Sequence, residues 1–225
     1  MKFSGFQKAS LIDFPRRISS ILFAPGCNLR CPYCQNWRIV IDTTPSFLDE
    51  DEALAILEVR KKFIDSVVIS GGEPLIQRDA PRFIRKLKER GFIVKLDTNG
   101  FFPERLKECL PYLDYVAVDI KTSPRKYYLL GAENVEPFLE TIKIVMNSDV
   151  DYEYRCTIVP SIVEREDMEE IGNLVEGARR FALQQFIPDN AMQEDFRKIR
   201  PYSESTIKQF SKIMEKYVKE VILRI

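Results

Sequence analysis

The 225-residue chain contains no histidine. This absence excludes Ser–His–Asp and Cys–His nucleophilic catalysis, HExxH zinc sites and every metal site that depends on an imidazole ligand. Any chemistry must therefore use cysteine, carboxylate, lysine, amide or backbone groups, or a bound cofactor.

Long apolar runs are missing as well. No stretch approaches the roughly 20 apolar residues of a membrane-spanning helix, and residues 1–10 lack the apolar segment of a signal peptide. Lys+Arg and Asp+Glu both number 34, so no net charge attracts nucleic acid or an anionic membrane. These features predict a cytoplasmic protein that binds neither nucleic acid nor membrane.

The order of the apolar segments predicts an α/β fold. Six short apolar runs have the length of buried strands: residues 18–24, 66–70, 92–97, 115–120, 151–159 and 183–187. Amphipathic segments separate them, which indicates a mostly parallel sheet with right-handed crossovers. Six units are too few for an eightfold barrel, so we predict a partial (β/α)6 TIM-like barrel. Residues 1–225 form one predicted domain, with a core over about 16–190 and a helical and strand extension over 191–225.

Unusual residues follow the predicted strands directly. In parallel α/β folds, the loops at the carboxyl ends of the strands converge on the active site. Three cysteines follow the first strand, Gly71-Gly72-Glu73 the second, Asp97-Thr98-Asn99 the third, and Asp119 and Lys121 the fourth. We therefore expect these side chains to lie together at one end of the barrel.

Residues 25–34 (PGCNLRCPYC) place Cys27, Cys31 and Cys34 in a C-x3-C-x2-C pattern. Thiolates are soft ligands that bind iron–sulfur clusters, zinc or copper(I). A structural zinc site takes four ligands, and no nearby cysteine or histidine supplies a fourth. Three ligands therefore indicate a cluster with one iron left for another molecule, while an incomplete zinc site and buried free cysteines remain alternatives. The other two cysteines, Cys109 and Cys156, are predicted to be buried thiols.

The cysteine loop resembles the motif of the radical S-adenosylmethionine (SAM) superfamily, with Tyr33 in its aromatic position. Residues 71–74 (GGEP) are similar to that superfamily's GGEP element. Residues 96–100 (LDTNG), 118–121 (VDIK) and 155–160 (RCTIVP) resemble elements of the glycyl-radical-enzyme activating enzymes. Within that branch, residues 4–7, 10–15 and 183–186 are most similar to the activating proteins of anaerobic ribonucleoside-triphosphate reductase. The chain departs from the branch where Arg16 replaces a frequent glycine and Gln35 a frequent histidine.

The resemblance implies a radical SAM fold and a 4Fe–4S cluster on Cys27, Cys31 and Cys34 that cleaves SAM. The implied SAM-binding residues are Tyr33, Cys34, Gln35, Asn36, Gly71, Gly72, Glu73, Asp97, Thr98, Asn99, Asp119, Lys121, Arg155 and Gln185. Glu73 would bind the SAM ammonium group, with a solvated turn acid as the alternative. Asp97 and Asp119 would hold Na⁺ or K⁺, with an Asp119–Lys121 salt bridge as the alternative.

The implied activity is the formation of a glycyl radical on a partner enzyme, the large subunit of anaerobic ribonucleotide reductase. An electron donor such as flavodoxin or ferredoxin would reduce the cluster. Three alternatives remain at this point. They are an activating enzyme for another glycyl radical enzyme such as pyruvate formate-lyase, a small-molecule enzyme similar to 7-carboxy-7-deazaguanine synthase, and a zinc-binding or electron-transfer module.

Overall fold

The computed structural model describes residues 1–41 and 48–225. Within these residues, eight strands form one sheet in the order β1 to β8, so neighbours in sequence are neighbours in the sheet. The strands are β1 (Gly5–Phe14), β2 (Arg17–Ala24), β3 (Ser66–Gly71), β4 (Ile93–Thr98), β5 (Tyr115–Asp119), β6 (Asp151–Ile158), β7 (Phe181–Gln185) and β8 (Val221–Arg224). β1 is antiparallel to β2, and every later pair is parallel.

Helices cover the outside of the curved sheet. In the described residues they are α1 (Trp37–Ile41), α2 (Glu50–Arg60), α3 (Ala80–Glu89), α4 (Pro103–Cys109), α5 (Glu136–Met146), α6 (Arg165–Leu174), α7 (Glu194–Arg197) and α8 (Glu204–Met214). Short 3₁₀ helices lie at Pro74–Ile76, Leu110–Tyr112 and Pro124–Leu130. None of the helices described is both long enough and apolar enough to span a bilayer.

Successive residues of each strand face two different environments, as the two-residue period of a strand requires. On β3, Val67 and Ile69 pack in the large core shared with the helices. Val68, between them, lies inside the barrel with Ile21 and Ala117. The barrel interior is therefore a separate, smaller space, and the charged side chains of the strands enter it.

The predicted α/β class and mostly parallel partial barrel are confirmed, but the sheet has two strands beyond the six predicted. The six predicted strands do not include β1, because apolar and polar residues do not alternate regularly along it. Its register with β2 shifts twice between Gln7 and Phe14, and its Leu11 and Ile12 are exposed. β8 has four residues, too few for a clear periodic signal. Both edge strands lie outside the predicted core of 16–190 and yet belong to the same sheet.

Candidate active site at the carboxyl end of the barrel

The three motif cysteines lie on the loop that follows β2. Gly26, with φ at 78°, turns the chain out of the strand. Arg30 then fixes the loop from two directions. Its N–H donates to Leu130 O at 2.8 Å, and its Nη1 donates to Cys27 O at 2.7 Å. The sequence analysis does not identify Arg30, because its partners are backbone oxygens that no motif reveals.

The thiols of Cys27, Cys31 and Cys34 form no disulfide. Burial raises the pKa of the Cys31 thiol to about 12; the Lys121 ammonium opposes this shift, and charges on Cys27 and Cys34 add to it. Burial also raises the pKa of Cys27 and of Cys34. The three sulfurs thus lie near one another and near the half-buried ammonium of Lys121, whose side chain is 22% exposed.

This donor set fits an iron–sulfur cluster. It offers three soft sulfur ligands on one loop, in a partly buried space where a bound metal would stabilise the thiolates that burial disfavours. Over residues 1–41 and 48–225, no three His, Cys, Asp or Glu side chains converge on the position of a single ion. Cys109 and Cys156 are buried on α4 and β6, as predicted.

Two glycines bring the loop after β3 against the cysteine loop. Gly71 has φ at 118°, and a Cβ on it would lie 2.5 Å from the backbone of Ala24. A Cβ on Gly72 would lie 1.9 Å from Gly26 O. The sequence predicts that these glycines let the backbone approach a ligand. In the structure, Gly71 approaches the backbone at the end of β2, and Gly72 approaches the carbonyl of Gly26 on the cysteine loop.

Glu73 is fully buried, and its carboxylate binds the loop after β4. Its Oε1 accepts hydrogen bonds from Leu75 N and Thr98 Oγ1, both at 2.9 Å, and its Oε2 accepts one from Asn99 N at 2.6 Å. Burial raises the pKa of Glu73 to about 7, although these donors oppose the shift. The solvated turn acid is therefore wrong. A carboxylate has about four acceptor sites, and three of those of Glu73 are occupied in the structure.

Asp97 and Asp119 face each other across Arg155. Arg155 Nε lies 2.7 Å from Asp119 Oδ1, and its Nη1 lies 3.3 Å from Asp97 Oδ2. Lys121 Nζ lies 3.0 Å from Asp119 Oδ2, which is the salt bridge considered as the alternative. Burial would raise the pKa of both carboxyls, but Arg155 and the nearby lysines outweigh it and hold each pKa below its usual value. A protein cation thus lies between the two aspartates.

Lys95 is a charged residue of this site that the sequence analysis does not identify. Its side chain is 1% exposed, and its Nζ lies 2.8 Å from Asp97 Oδ1 and 2.5 Å from Asp13 O. Lys95 precedes Asp97 by two residues on β4, so strand alternation places both side chains on one face. The two-residue spacing from Asp97 is the sequence feature that could have identified Lys95.

Tyr33 packs between the cysteine loop and the end of the sheet. Its ring lies edge-on to Phe186, with 6.4 Å between the ring centroids, and its OH donates to Lys121 O at 3.4 Å. Both interpretations of the sequence, packing around the cluster and a place beside the adenine, are compatible with this position.

The polar side chains predicted around the adenine bind backbone oxygens of neighbouring loops. Gln35 Nε2 donates to Ile187 O at 2.9 Å, and Asn36 Nδ2 donates to the carbonyl of Gly71 at 3.0 Å. Gln185 Nε2 reaches the backbone oxygen of residue 202, before α8, at 3.3 Å. Gln35 and Asn36 thus connect the cysteine loop to the segment after β7 and to the end of β3, and Gln185 is directed toward the segment before α8.

Comparisons with known proteins agree with this geometry. The profile of the Radical SAM superfamily matches residues 21–177. A protein of Methanocaldococcus jannaschii, provisionally named a glycyl-radical enzyme activating enzyme, is 36% identical over 230 residues, which cover 98% of this chain and 95% of the relative. The pyruvate formate-lyase-activating enzyme of Clostridium pasteurianum is 29% identical over 236 residues, covering 97% of each chain.

A solved structure shows the same fold. The crystal structure of QueE from Escherichia coli superposes with a TM-score of 0.62 and 18% identity, covering 99% of this chain and 93% of that chain. At this identity the similarity concerns the fold alone. The radical SAM fold predicted from the cysteine loop and its companion motifs is thereby confirmed.

Proposed function

Because the chain belongs to the radical SAM superfamily, we propose that it is an activating enzyme that takes a hydrogen atom from a backbone glycine of a partner enzyme. Enzymes of this superfamily use a 4Fe–4S cluster and SAM, which together supply the one-electron cleavage that yields a 5′-deoxyadenosyl radical. One observation carries the proposal. The three motif cysteines lie on one loop that contacts the loops after β3, β4 and β5. Glu73 N donates to Gly26 O at 2.8 Å, Asn99 Nδ2 lies 3.5 Å from Cys27 Sγ, and Tyr33 OH donates to Lys121 O at 3.4 Å.

Each part of the site then has a physical role. The three cysteines hold the cluster, and Gly71 and Gly72 keep the neighbouring backbone close to it. The remaining acceptor site of Glu73 receives the ammonium group of SAM, and Lys121 binds its carboxylate or ribose. The buried apolar residue Ile21 of β2, inside the barrel, helps to exclude water from the floor of the site.

Two further groups belong to the proposal. Tyr33, Gln35, Asn36 and Gln185 contact the adenosyl part of SAM, and Na⁺ or K⁺ binds at Asp97 and Asp119. Arg155 already contacts both carboxylates, so a bound cation has to share them with the guanidinium. SAM affinity measured in buffer free of Na⁺ and K⁺ tests the ion: an unchanged affinity rejects it.

We propose anaerobic ribonucleotide reductase as the partner, flavodoxin or ferredoxin as the electron donor, and the cytoplasm as the compartment. The support for the partner is the segment of residues 10–15, which resembles the opening of the reductase activating proteins. The segment contacts the barrel interior at one point, where Asp13 O accepts a hydrogen bond from Lys95, whose ammonium also binds Asp97. Pyruvate formate-lyase is the alternative partner, because the Clostridium relative is named for it.

The test is anaerobic reconstitution with iron and sulfide, followed by SAM, a reductant and each candidate partner in turn. We expect 5′-deoxyadenosine, and a glycyl radical doublet in the electron paramagnetic resonance (EPR) spectrum with the reductase but not with pyruvate formate-lyase. A doublet with pyruvate formate-lyase alone would identify that enzyme as the partner in place of the reductase, and the proposed activating role would stand. Cleavage of SAM without a doublet on either would reject the activating role, and product analysis with a pterin substrate would then test the small-molecule class.

A matched pair of cysteine variants controls for general damage. Cys34→Ala removes a motif thiol, and we expect the loss of cluster absorbance and of SAM cleavage. Cys156→Ala removes a buried thiol on β6 that lies outside the motif, and it should retain both. An equal loss in both variants would mean that the motif thiol has no special part in binding the cluster.

A further inference from the structure

Asn99 connects the end of β4 to a motif cysteine. It is 4% exposed, and its Nδ2 lies 3.5 Å from Cys27 Sγ and 2.8 Å from Asn28 Oδ1. The side chain therefore directs its N–H groups toward the cysteine loop. This contact crosses 72 residues of sequence, so no local motif indicates it.

The orientation of this carboxamide is determined by its neighbours. Asn99 Oδ1 accepts a hydrogen bond from Phe101 N at 3.2 Å, and the backbone N–H of Asn99 donates to Glu73 Oε2 at 2.6 Å. Exchanging the oxygen and nitrogen of the side chain would set two donors against each other at Phe101. The donor end of the amide must therefore face Cys27.

Cys27 Sγ accepts a second hydrogen bond, from Leu29 N at 3.4 Å. Hydrogen bonds to cysteine sulfurs are among the features that set the reduction potential of an iron–sulfur cluster. Reduction adds negative charge to the cluster and its ligands, so a donor aimed at a ligand sulfur stabilises the reduced form more than the oxidised form. Each such donor therefore raises the potential.

We propose that Asn99 is a positioning residue that donates a hydrogen bond to Cys27 and thereby raises the reduction potential of the cluster. This inference rests on cluster binding by the proposed enzyme and differs from the prediction that Asn99 contacts SAM. Glu73 acts one step further away, because its buried carboxylate holds the backbone N–H of Asn99 in place.

The test compares Asn99→Ala and Asn99→Asp with the wild type in a redox titration followed by EPR, without SAM or partner enzyme. Asn99→Asp keeps an oxygen acceptor for Phe101 N but has no donor for Cys27. Asn99→Ala removes the donor without adding charge, so a shift seen in both variants is not the effect of a new carboxylate. We expect the ratio of reduced to oxidised cluster at a fixed potential to fall about tenfold, or about 59 mV for a one-electron couple.

Asn190→Ala is the matched control. Asn190 Nδ2 donates to Gln35 O at 2.9 Å, so this asparagine binds the backbone beside the motif cysteines. Its removal should leave the potential unchanged. An equal shift in Asn190→Ala would overturn the proposal, since any weakening of the loop would then have the same effect.

Three other outcomes are equally decisive. Wild-type potentials in both Asn99 variants reject the inference. Variants that fold by circular dichroism yet bind no cluster make Asn99 a structural residue of the loop, which also rejects the tuning role. A wild-type protein that binds no cluster would remove the proposed function itself, and with it this inference.

Discussion

The two ends of the barrel place different demands on the backbone. At the carboxyl end of the strands, a Cβ on Gly72 would lie 1.9 Å from Gly26 O. At the amino end, the turn between β1 and β2 carries Arg16 at φ 60°, a conformation that favours glycine. The chain thus has glycine where two loops of the site touch, and has an ordinary residue at the β1–β2 turn, where the strain of the turn alone is involved.

The two ends also differ in the burial of their ion pairs. At the carboxyl end, Arg155 lies inside the barrel and binds two carboxylates. At the amino end, the partly exposed Arg180 binds Asp151 at 2.7 Å and Glu220 at 3.2 Å. Water screens the second set and not the first, so similar ion pairs should contribute very different amounts to stability.

Gly72→Ala should have the largest effect of the variants that test this comparison. The new Cβ requires the backbone at Gly26 to move, and the cysteine loop moves with it. We expect the free energy of unfolding of the apo-protein to fall by about 3 kcal/mol, and iron uptake on reconstitution to drop. Denaturant titration and iron analysis measure the two effects.

Gly177→Ala is the control for backbone strain without crowding. Gly177 has φ at 85°, and no atom lies within 4 Å of the position of its missing Cβ. Only the strain of the left-handed conformation applies, about 1 kcal/mol, and iron uptake should remain that of the wild type. Equal losses in the two glycine variants would contradict a special role for the contact between the loops.

Arg155→Met should have the next largest effect, because it leaves Asp97 and Asp119 without the cation between them. Removing one partner of a buried ion pair costs about 3–5 kcal/mol, and we expect that loss in the free energy of unfolding at pH 7. The pKa of each aspartate is lowered in the folded wild type. The stabilisation by Arg155 is therefore complete above the ordinary aspartate pKa of about 3.9 and is lost as the pH falls below it.

Denaturant titrations of the apo-protein between pH 3 and pH 7 measure this dependence. The difference between wild type and Arg155→Met should shrink toward pH 3, because the aspartates of the unfolded chain take up protons there while those of the folded wild type stay ionised. Arg180→Met, at the amino end, should lose only about 0–1 kcal/mol. A pH-independent difference, or a loss as large in the Arg180 variant, would show that burial does not distinguish the two ends.

The carboxyl end of the barrel is the part that the sequence predicts best. Its motifs follow strands directly, so the order of strands and loops places the residues after β2, β3, β4 and β5 at one end. The same reasoning could have reached Lys95, because a strand repeats every two residues and Asp97 lies two residues later. The two-residue period of a strand and the order of strands along the chain are sufficient for these predictions, so no contact between side chains has to be known.

The partners of loop side chains could not be predicted. Glu73 binds Thr98, 25 residues away, rather than solvent, and Asn99 reaches Cys27 across 72 residues. Periodicity assigns a strand residue to a face, but it does not determine which of several acceptors a loop side chain will reach. The sequence does not predict the edge strand β1 for a related reason, since its irregular register disrupts the alternation that identifies a strand.

Arg16→Gly should have the smallest effect, and of opposite sign. Relief of the strain of an L-residue in the left-handed region should stabilise the folded state by roughly 1–2 kcal/mol. Glycine also gives the unfolded chain more conformational freedom, which offsets about 0.5–1 kcal/mol of that stabilisation. We therefore expect the free energy of unfolding to rise by about 0.5–1 kcal/mol in denaturant titrations. Arg17→Gly, on the first residue of β2, should lower it by a similar amount, because Arg17 is an extended strand residue paired with Phe14. A loss of stability in Arg16→Gly would mean that interactions of the arginine side chain outweigh the backbone strain. The stability of the β1–β2 turn would then depend on the identity of residue 16.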